Sequence, residues 1–191
     1  MAPETSAERG RHVRERLLAA AAELIAERGW TAVSTRVLAE RAGVRPGLVH
    51  YHFASLQDLL RQAAVAAMGR VVAETSPPSE GVDDPAAVLD ALTSALDAYE
   101  GRDPTSLLFI ETYLASTRDP ELRELIAAML NDFRHGVAEV LRGSGVAEPE
   151  ATAVVLVAAL DGYLLHKALD VSTSTAAVKT VLRRLVPTPS R

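Results

Sequence analysis

Apolar residues recur at three- and four-residue spacing along most of this chain, broken by short glycine, proline or polar segments. Val13, Leu17, Ala21, Leu24 and Ile25 form the first stripe and predict a helix over 9–28, with Gly29 past its end. Trp30 then plugs a small core. Ser34 is a suitable N-cap for a second helix, Gly43 a turn residue, and Pro46 fits the first turn of a short third helix. Ser55 with Asp58 three residues on is a capping signature for a fourth helix. Its stripe is Leu56, Leu59, Leu60, Ala63, Ala64, Ala67, Met68 and Val71. Residues 75–84 form the long breaker segment, expected as a loop. Further helices are predicted over 85–100, 105–117, 119–142, 148–170 and 174–186, with a frayed tail after Val186. There is no internal repeat and no low-complexity tract. The pattern predicts an all-α chain in two parts: residues 1–54, then 55–186, followed by the tail 187–191.

The second and third helices carry the candidate chemistry. Leu38, Ala39, Ala42, Val44 and Val49 can pack inward, leaving Arg36, Arg45, His50 and Tyr51 pointing out. A second helix that presents such side chains across a tight turn has the geometry of a helix-turn-helix in a DNA major groove. A plain helical hairpin in a larger bundle is the competing interpretation.

Composition narrows the choice. Hydrophobic residues make up 48% and aromatics only 4%, so alanine, leucine and valine must build the core, which favours helix. There is no cysteine, which excludes disulfides and thiol nucleophiles. The start lacks a basic segment followed by an apolar one, and the apolar run Ala151 to Leu160 is short for a bilayer, so a cytoplasmic protein off the membrane is expected. The net charge is −5, but residues 1–56 hold eight arginines and six acids, +2, against −7 for the rest. A basic N-terminal part on an acidic body fits a DNA-reading head.

Residues 14–60 resemble the DNA-binding domain of TetR-family transcriptional regulators. The resemblance lies in Leu24-Ile25-Ala26-Glu27-Arg28-Gly29-Trp30, in Ala39-Glu40-Arg41-Ala42-Gly43-Val44, and in Tyr51-His52-Phe53 with Ser55. Beyond it, helix number, helix lengths and Leu160-Asp161-Gly162 are similar to the family. The resemblance implies a homodimer with nine helices. Helices one to three bind a double-stranded operator, helix four connects them to a ligand-binding body, and helices eight and nine pair with their copies. It also implies repression that a small molecule relieves.

Carried over by residue, Arg36 matches a base-reading position, where a guanidinium can grip a guanine edge. Thr35 matches a phosphate-contacting hydroxyl at a helix N-terminus. Gly47 matches a position of close backbone approach, and His50, Tyr51 and His52 match phosphate and sugar contacts. Three positions depart from the pattern. Leu48 stands where threonine or serine is common, which leaves packing on a thymine methyl. Arg45 replaces a common serine and adds a cation. Leu56 replaces a phosphate-holding lysine, so the operator should differ from those of better-known members.

Nothing in the chain implies an enzyme, a cofactor or a metal. His50 and His52 lie two apart on a helix and point to different sides, and His135 and His166 are isolated. Ser144, between glycines, reads as a loop residue. The predicted helix eight is apolar on nearly every face and so must be covered all round, by its own core and by either a second subunit or further helices of a monomer. The resemblance favours the second subunit. Leu156, Leu160, Asp161, Val178, Val181, Leu182 and Leu185 are the expected dimer residues. Asp161 serves either that interface or a ligand. Met68, Tyr99, Phe109, Tyr113, Met129, Phe133 and Leu164 are candidate walls for a mainly hydrophobic effector, or else plain core. A DNA-binding regulator without effector, and a helical binding protein that has lost DNA binding, are the alternative functions.

Overall fold

The computed structural model describes residues 5–75, 85–169 and 174–186. Among them the secondary structure is helical throughout: α1 (Ser6–Arg28), α2 (Thr35–Ala42), α3 (Gly47–His52), α4 (Leu56–Thr75), α5 (Pro85–Ala98), α6 (Pro104–Ser116), α7 (Pro120–Gly143), α8 (Pro149–Ala168) and α9 (Thr175–Leu182). Residues 76–84 of the expected loop, and the tail from 187, lie outside the described residues.

Two helix ends differ from the sequence pattern by more than two residues. α1 starts at Ser6 because Thr5 and Glu8 close a capping box, Glu8 N–H to Thr5 Oγ1 at 3.2 Å and Thr5 N–H to Glu8 Oε2 at 2.7 Å. α9 stops being α-helical at Leu182 and tightens into a 3₁₀ turn, Arg183–Leu185. Pro187 follows, and a proline pushes the residue before it out of the helical region; Val186 is at φ −123°, ψ 87°.

The chain forms two compact units. The first comprises residues up to Met68 together with Leu107–Arg123, so it takes in α1 to α3, most of α4 and most of α6. Leu17, Leu24 and Ile25 of α1, Leu38 of α2, Val49 of α3 and Leu59 and Leu60 of α4 are all fully buried in it. Trp30 is buried as well, as the sequence led us to expect. Caps mark the joints. Ser55 Oγ accepts the Asp58 N–H at 3.0 Å, and Gly43 takes the left-handed conformation, φ 62°, that ends α2. Arg61 of α4 donates to Asp119 at 2.8 Å and also reaches Glu121. Burial works against charge on Asp119, yet Arg61 and the Leu122 N–H hold its carboxyl below the usual range.

The second unit holds Gly69–Ser106 and Glu124–Arg191. Its core joins Leu89 and Leu92 of α5, Val137 and Leu141 of α7, Ala153, Leu156 and Leu160 of α8, and Leu182 of α9. Ion pairs tie α9 to α5, Arg183 to Asp90 at 2.6 Å and Lys179 to Asp97. The α5–α6 connection lies against the end of α8: Arg102 Nε donates to the Ala168 carbonyl at 2.9 Å, and Lys167 donates to the Tyr99 carbonyl. Cations at a helix C-terminus satisfy its free carbonyls and complement its dipole.

Leu156, Leu160 and Leu182 correct an expectation. They are 0%, 9% and 4% exposed and belong to the unit's own core, so they cannot also meet a partner. The opposite face of α8 is the open one. Ala151, Val154, Val155, Ala158, Leu165 and Leu169 are exposed on it, and at 100° per residue they fall on one stripe. Val181 of α9 is exposed too, while Val178 is half-buried against the core. Asp161 and Gly162 are half-buried beside the stripe, and the side chain of Leu185 lies outside the described residues. α8, with twenty residues, is also the one described helix long and apolar enough to cross a membrane, which counting from Ala151 to Leu160 had not revealed.

Candidate nucleic-acid interface

Several interactions fix the turn between α2 and α3. Val44 N–H donates to Ala39 O at 2.9 Å and Leu48 N–H to Arg45 O at 3.0 Å. Arg16 of α1 reaches across and donates from Nε to Ala42 O at 3.0 Å and from Nη2 to Gly43 O at 2.8 Å. Arg41 of α2 is held by Glu27 and Glu23 of α1 at 2.6 and 3.1 Å. These carboxylates push its already high pKa further up. Arg14 lies over the Phe53 ring, 5.1 Å from its centroid, and donates to Gln62. Arg14, Arg16 and Arg41, like Arg61, are therefore engaged within the first unit, which their place in the sequence did not reveal.

Arg36 and Arg45 differ. Both are exposed, and neither forms an ion pair among the described residues. Arg36 lies in the first turn of α2 and Arg45 just before α3. His50 is exposed, and Tyr51 is 79% exposed with its ring edge-on to His52 at 5.0 Å. An exposed tyrosine on a six-residue helix buries little against its own protein and is available to a partner. Thr35, Leu48 and His52 are half-buried. Gly47 is exposed, and a Cβ there would meet nothing within 4 Å, so the protein itself does not demand glycine.

The sequence pattern had not brought α1 into this surface. A Cβ at Gly10 would lie 3.8 Å from His52 Cε1, so the exposed Arg9 and Arg11 flank the end of α3. The signal was present as a basic run, Arg9-Gly10-Arg11-His12, but helix periodicity alone does not say which turn of α1 adjoins α3.

Of the candidate effector walls, the buried Met68 and the residues Phe109 and Tyr113 belong to the first unit, while Tyr99, Met129, Phe133 and Leu164 belong to the second. Phe133 and Leu164 pack against the second unit's core. Among the described residues no cluster of three or more metal-ligating side chains occurs.

Comparison with known proteins agrees with this geometry. Residues 17–63 match the family described as "Bacterial regulatory proteins, tetR family", and residues 83–188 match "Tetracyclin repressor-like, C-terminal domain". An HTH-type transcriptional regulator of Mycobacterium tuberculosis is 30% identical over 146 residues, 75% of this chain and 74% of its own. The crystal structure of a transcriptional regulator from Streptomyces coelicolor A3(2) superposes with a TM-score of 0.77 at 30% identity, covering 92% of this chain and 99% of the other. The multidrug binding protein EbrR, crystallised with imidazole, gives a TM-score of 0.72 at 32% identity over 100% of both chains.

Proposed function

The chain belongs to the TetR family of DNA-binding transcriptional regulators, and from that premise we propose that it is a dimeric cytoplasmic repressor released from its operator by a small, mainly hydrophobic molecule. The observation that carries the DNA half is the pair of exposed arginines, Arg36 at the start of α2 and Arg45 just before α3, that form no ion pair among the described residues, on helices joined by a turn that Arg16 holds in place. Arg36 reads a base edge, and Thr35, Arg45, Gly47, Leu48, His50, Tyr51 and His52 seat the unit on the backbone and groove wall. Two such heads on a twofold axis read an inverted repeat, with α3 helices about 34–36 Å apart when they fill successive major grooves.

Arg36→Ala is expected to cost about 1–3 kcal/mol on a selected operator and little on random DNA. Competition titrations on both DNAs check it, and an unchanged ratio of specific to non-specific affinity would remove Arg36 as a reader.

EbrR is a multidrug binding protein of similar fold. Here Tyr99, Met129, Phe133 and Leu164 supply apolar and aromatic wall within the second unit. α4 is one unbroken helix of twenty residues, about 30 Å long, and carries a displacement along its length. The ligand must prefer the form that does not bind DNA, since equal affinity shifts nothing. A coupling of about 1–3 kcal/mol weakens operator binding roughly 5–150-fold. Thermal-shift screening with hydrophobic compounds, followed by operator titration with each hit, tests this. Tight binders of several chemotypes that all leave operator affinity unchanged would favour a regulator without an effector.

A further inference from the structure

α6 and the segment that follows it are fastened to the DNA-binding part of the first unit at two places. Near its middle, Glu111 Oε2 accepts the backbone N–H of Trp30 at 2.9 Å. Past its end, Asp119 and Glu121 receive Arg61 of α4. The first attachment is on α6 itself, and the second begins eight residues on, in the α6–α7 connection and the first turn of α7.

Local chemistry explains why a carboxylate sits at the first point. Trp30 opens the 3₁₀ turn Trp30–Ala32, and an N–H at a helix start has no partner of its own. Gly29 before it, at φ +83°, would present a Cβ only 3.2 Å from Glu111 Oε2. Glycine thus ends α1 and also clears the approach for the carboxylate. The indole Nε1 of Trp30 donates in turn to Gln57 Oε1 of α4 at 3.1 Å. One residue therefore links α1, α4 and α6, and the turn it opens leads directly into α2.

We propose that Glu111 is a positioning residue for DNA binding: from α6 it fixes Trp30, and through Trp30 the angle at which α2 and α3 leave α1. α6 is then a second element, besides α4, that sets where the recognition surface lies. The inference rests on DNA binding alone and not on release by an effector.

The test compares Glu111→Ala with Glu111→Gln. Both remove a negative charge, which by itself would strengthen binding to any DNA. Only glutamine keeps an oxygen that can accept the Trp30 N–H. The probes are a duplex selected from a randomised pool by the unmodified protein, and sheared random-sequence DNA. Glu111→Ala is expected to lose about tenfold in affinity for the selected duplex with random DNA not weakened, and Glu111→Gln to stay within about threefold, the scale of one charged hydrogen bond. The salt dependence stays as in the unmodified protein, because Glu111 neutralises no phosphate. Trp30 is the single tryptophan, so acrylamide quenching of its fluorescence reads the contact directly and should rise in Glu111→Ala only. If Glu111→Ala loses its helical circular dichroism, Glu111→Asp, one methylene shorter, takes its place. Increased quenching with an unchanged ratio of specific to random affinity would overturn the proposal, as would equal losses for the alanine and glutamine variants.

Discussion

Val155→Glu is expected to turn the proposed dimer into monomers that retain their fold and lose the operator. Val155 is 52% exposed in the single chain, so a glutamate there is solvated and the helix tolerates it. Its neighbours on the stripe are Ala151, Val154, Ala158, Leu165 and Leu169, none of which carries a charge. An apolar face of this extent needs a cover. In the proposed dimer a second copy supplies one, and its two-fold axis would bring identical glutamates close together in a dry interface, where neither has a partner. Gly162, where a Cβ would meet nothing within 4 Å, leaves room for the partner helix to approach. Losing simultaneous engagement of two half-sites weakens operator binding by about 10²–10⁴-fold. Sedimentation at micromolar concentration and operator titration check both parts. An unmodified protein that sediments as a monomer, or a Val155→Glu variant that stays dimeric, would remove α8 from the interface. Leu156→Glu is no substitute: that side chain is fully buried, and a charge there should unfold the second unit.

Gly101→Ala is expected to give the largest loss of stability of any single methyl added to the chain's described glycines. Gly101 sits at φ +82°, and its Cβ would lie 2.4 Å from Ala168 N and 2.9 Å from the Lys167 carbonyl carbon. Both are backbone atoms of the α8 C-terminus and cannot rotate aside. The clash also threatens the bonds from Arg102 to Ala168 O and from Lys167 to Tyr99 O. Strain plus overpacking suggests about 2–5 kcal/mol. For a chain of this size that lowers Tm by roughly 5–15 °C. Gly47→Ala is the control, since its added methyl meets nothing and should leave Tm nearly unchanged. Differential scanning calorimetry of the two variants decides the matter. Equal Tm values would mean that the Gly101 turn can relax away from α8.

Local rules made the helices legible. Capping pairs, Gly43 at a left-handed turn and regular stripes of leucine and alanine depend on residues within four positions of each other, so a sequence displays them directly. The capping box at Thr5 and Glu8 was equally visible and extends α1 beyond its apolar stripe. The family, and with it DNA binding, was legible for a similar reason: the turn and its flanking residues are contiguous. The exposed set Arg36, Arg45, His50 and Tyr51 follows from which face of each short helix is apolar.

What the sequence by itself determined, then, is an all-helical chain, the order of its helices, and the two helices that present cations and a tyrosine outward. What only the tertiary structure decided is how residues distant in sequence are allotted. Arg16, Arg41 and Arg14 count toward the basic charge of residues 1–56 in sequence but are engaged within the protein. Most of α6 is grouped with the DNA-binding helices, through Glu111 and Asp119, 81 and 58 residues from their partners. On α8, periodicity showed apolar residues all round, but which side faces the core and which stays open depends on where α5, α7 and α9 pack. The reason is common to all of these: helical periodicity fixes the spacing of side chains around one axis, while their partners are set by the packing of other axes against it.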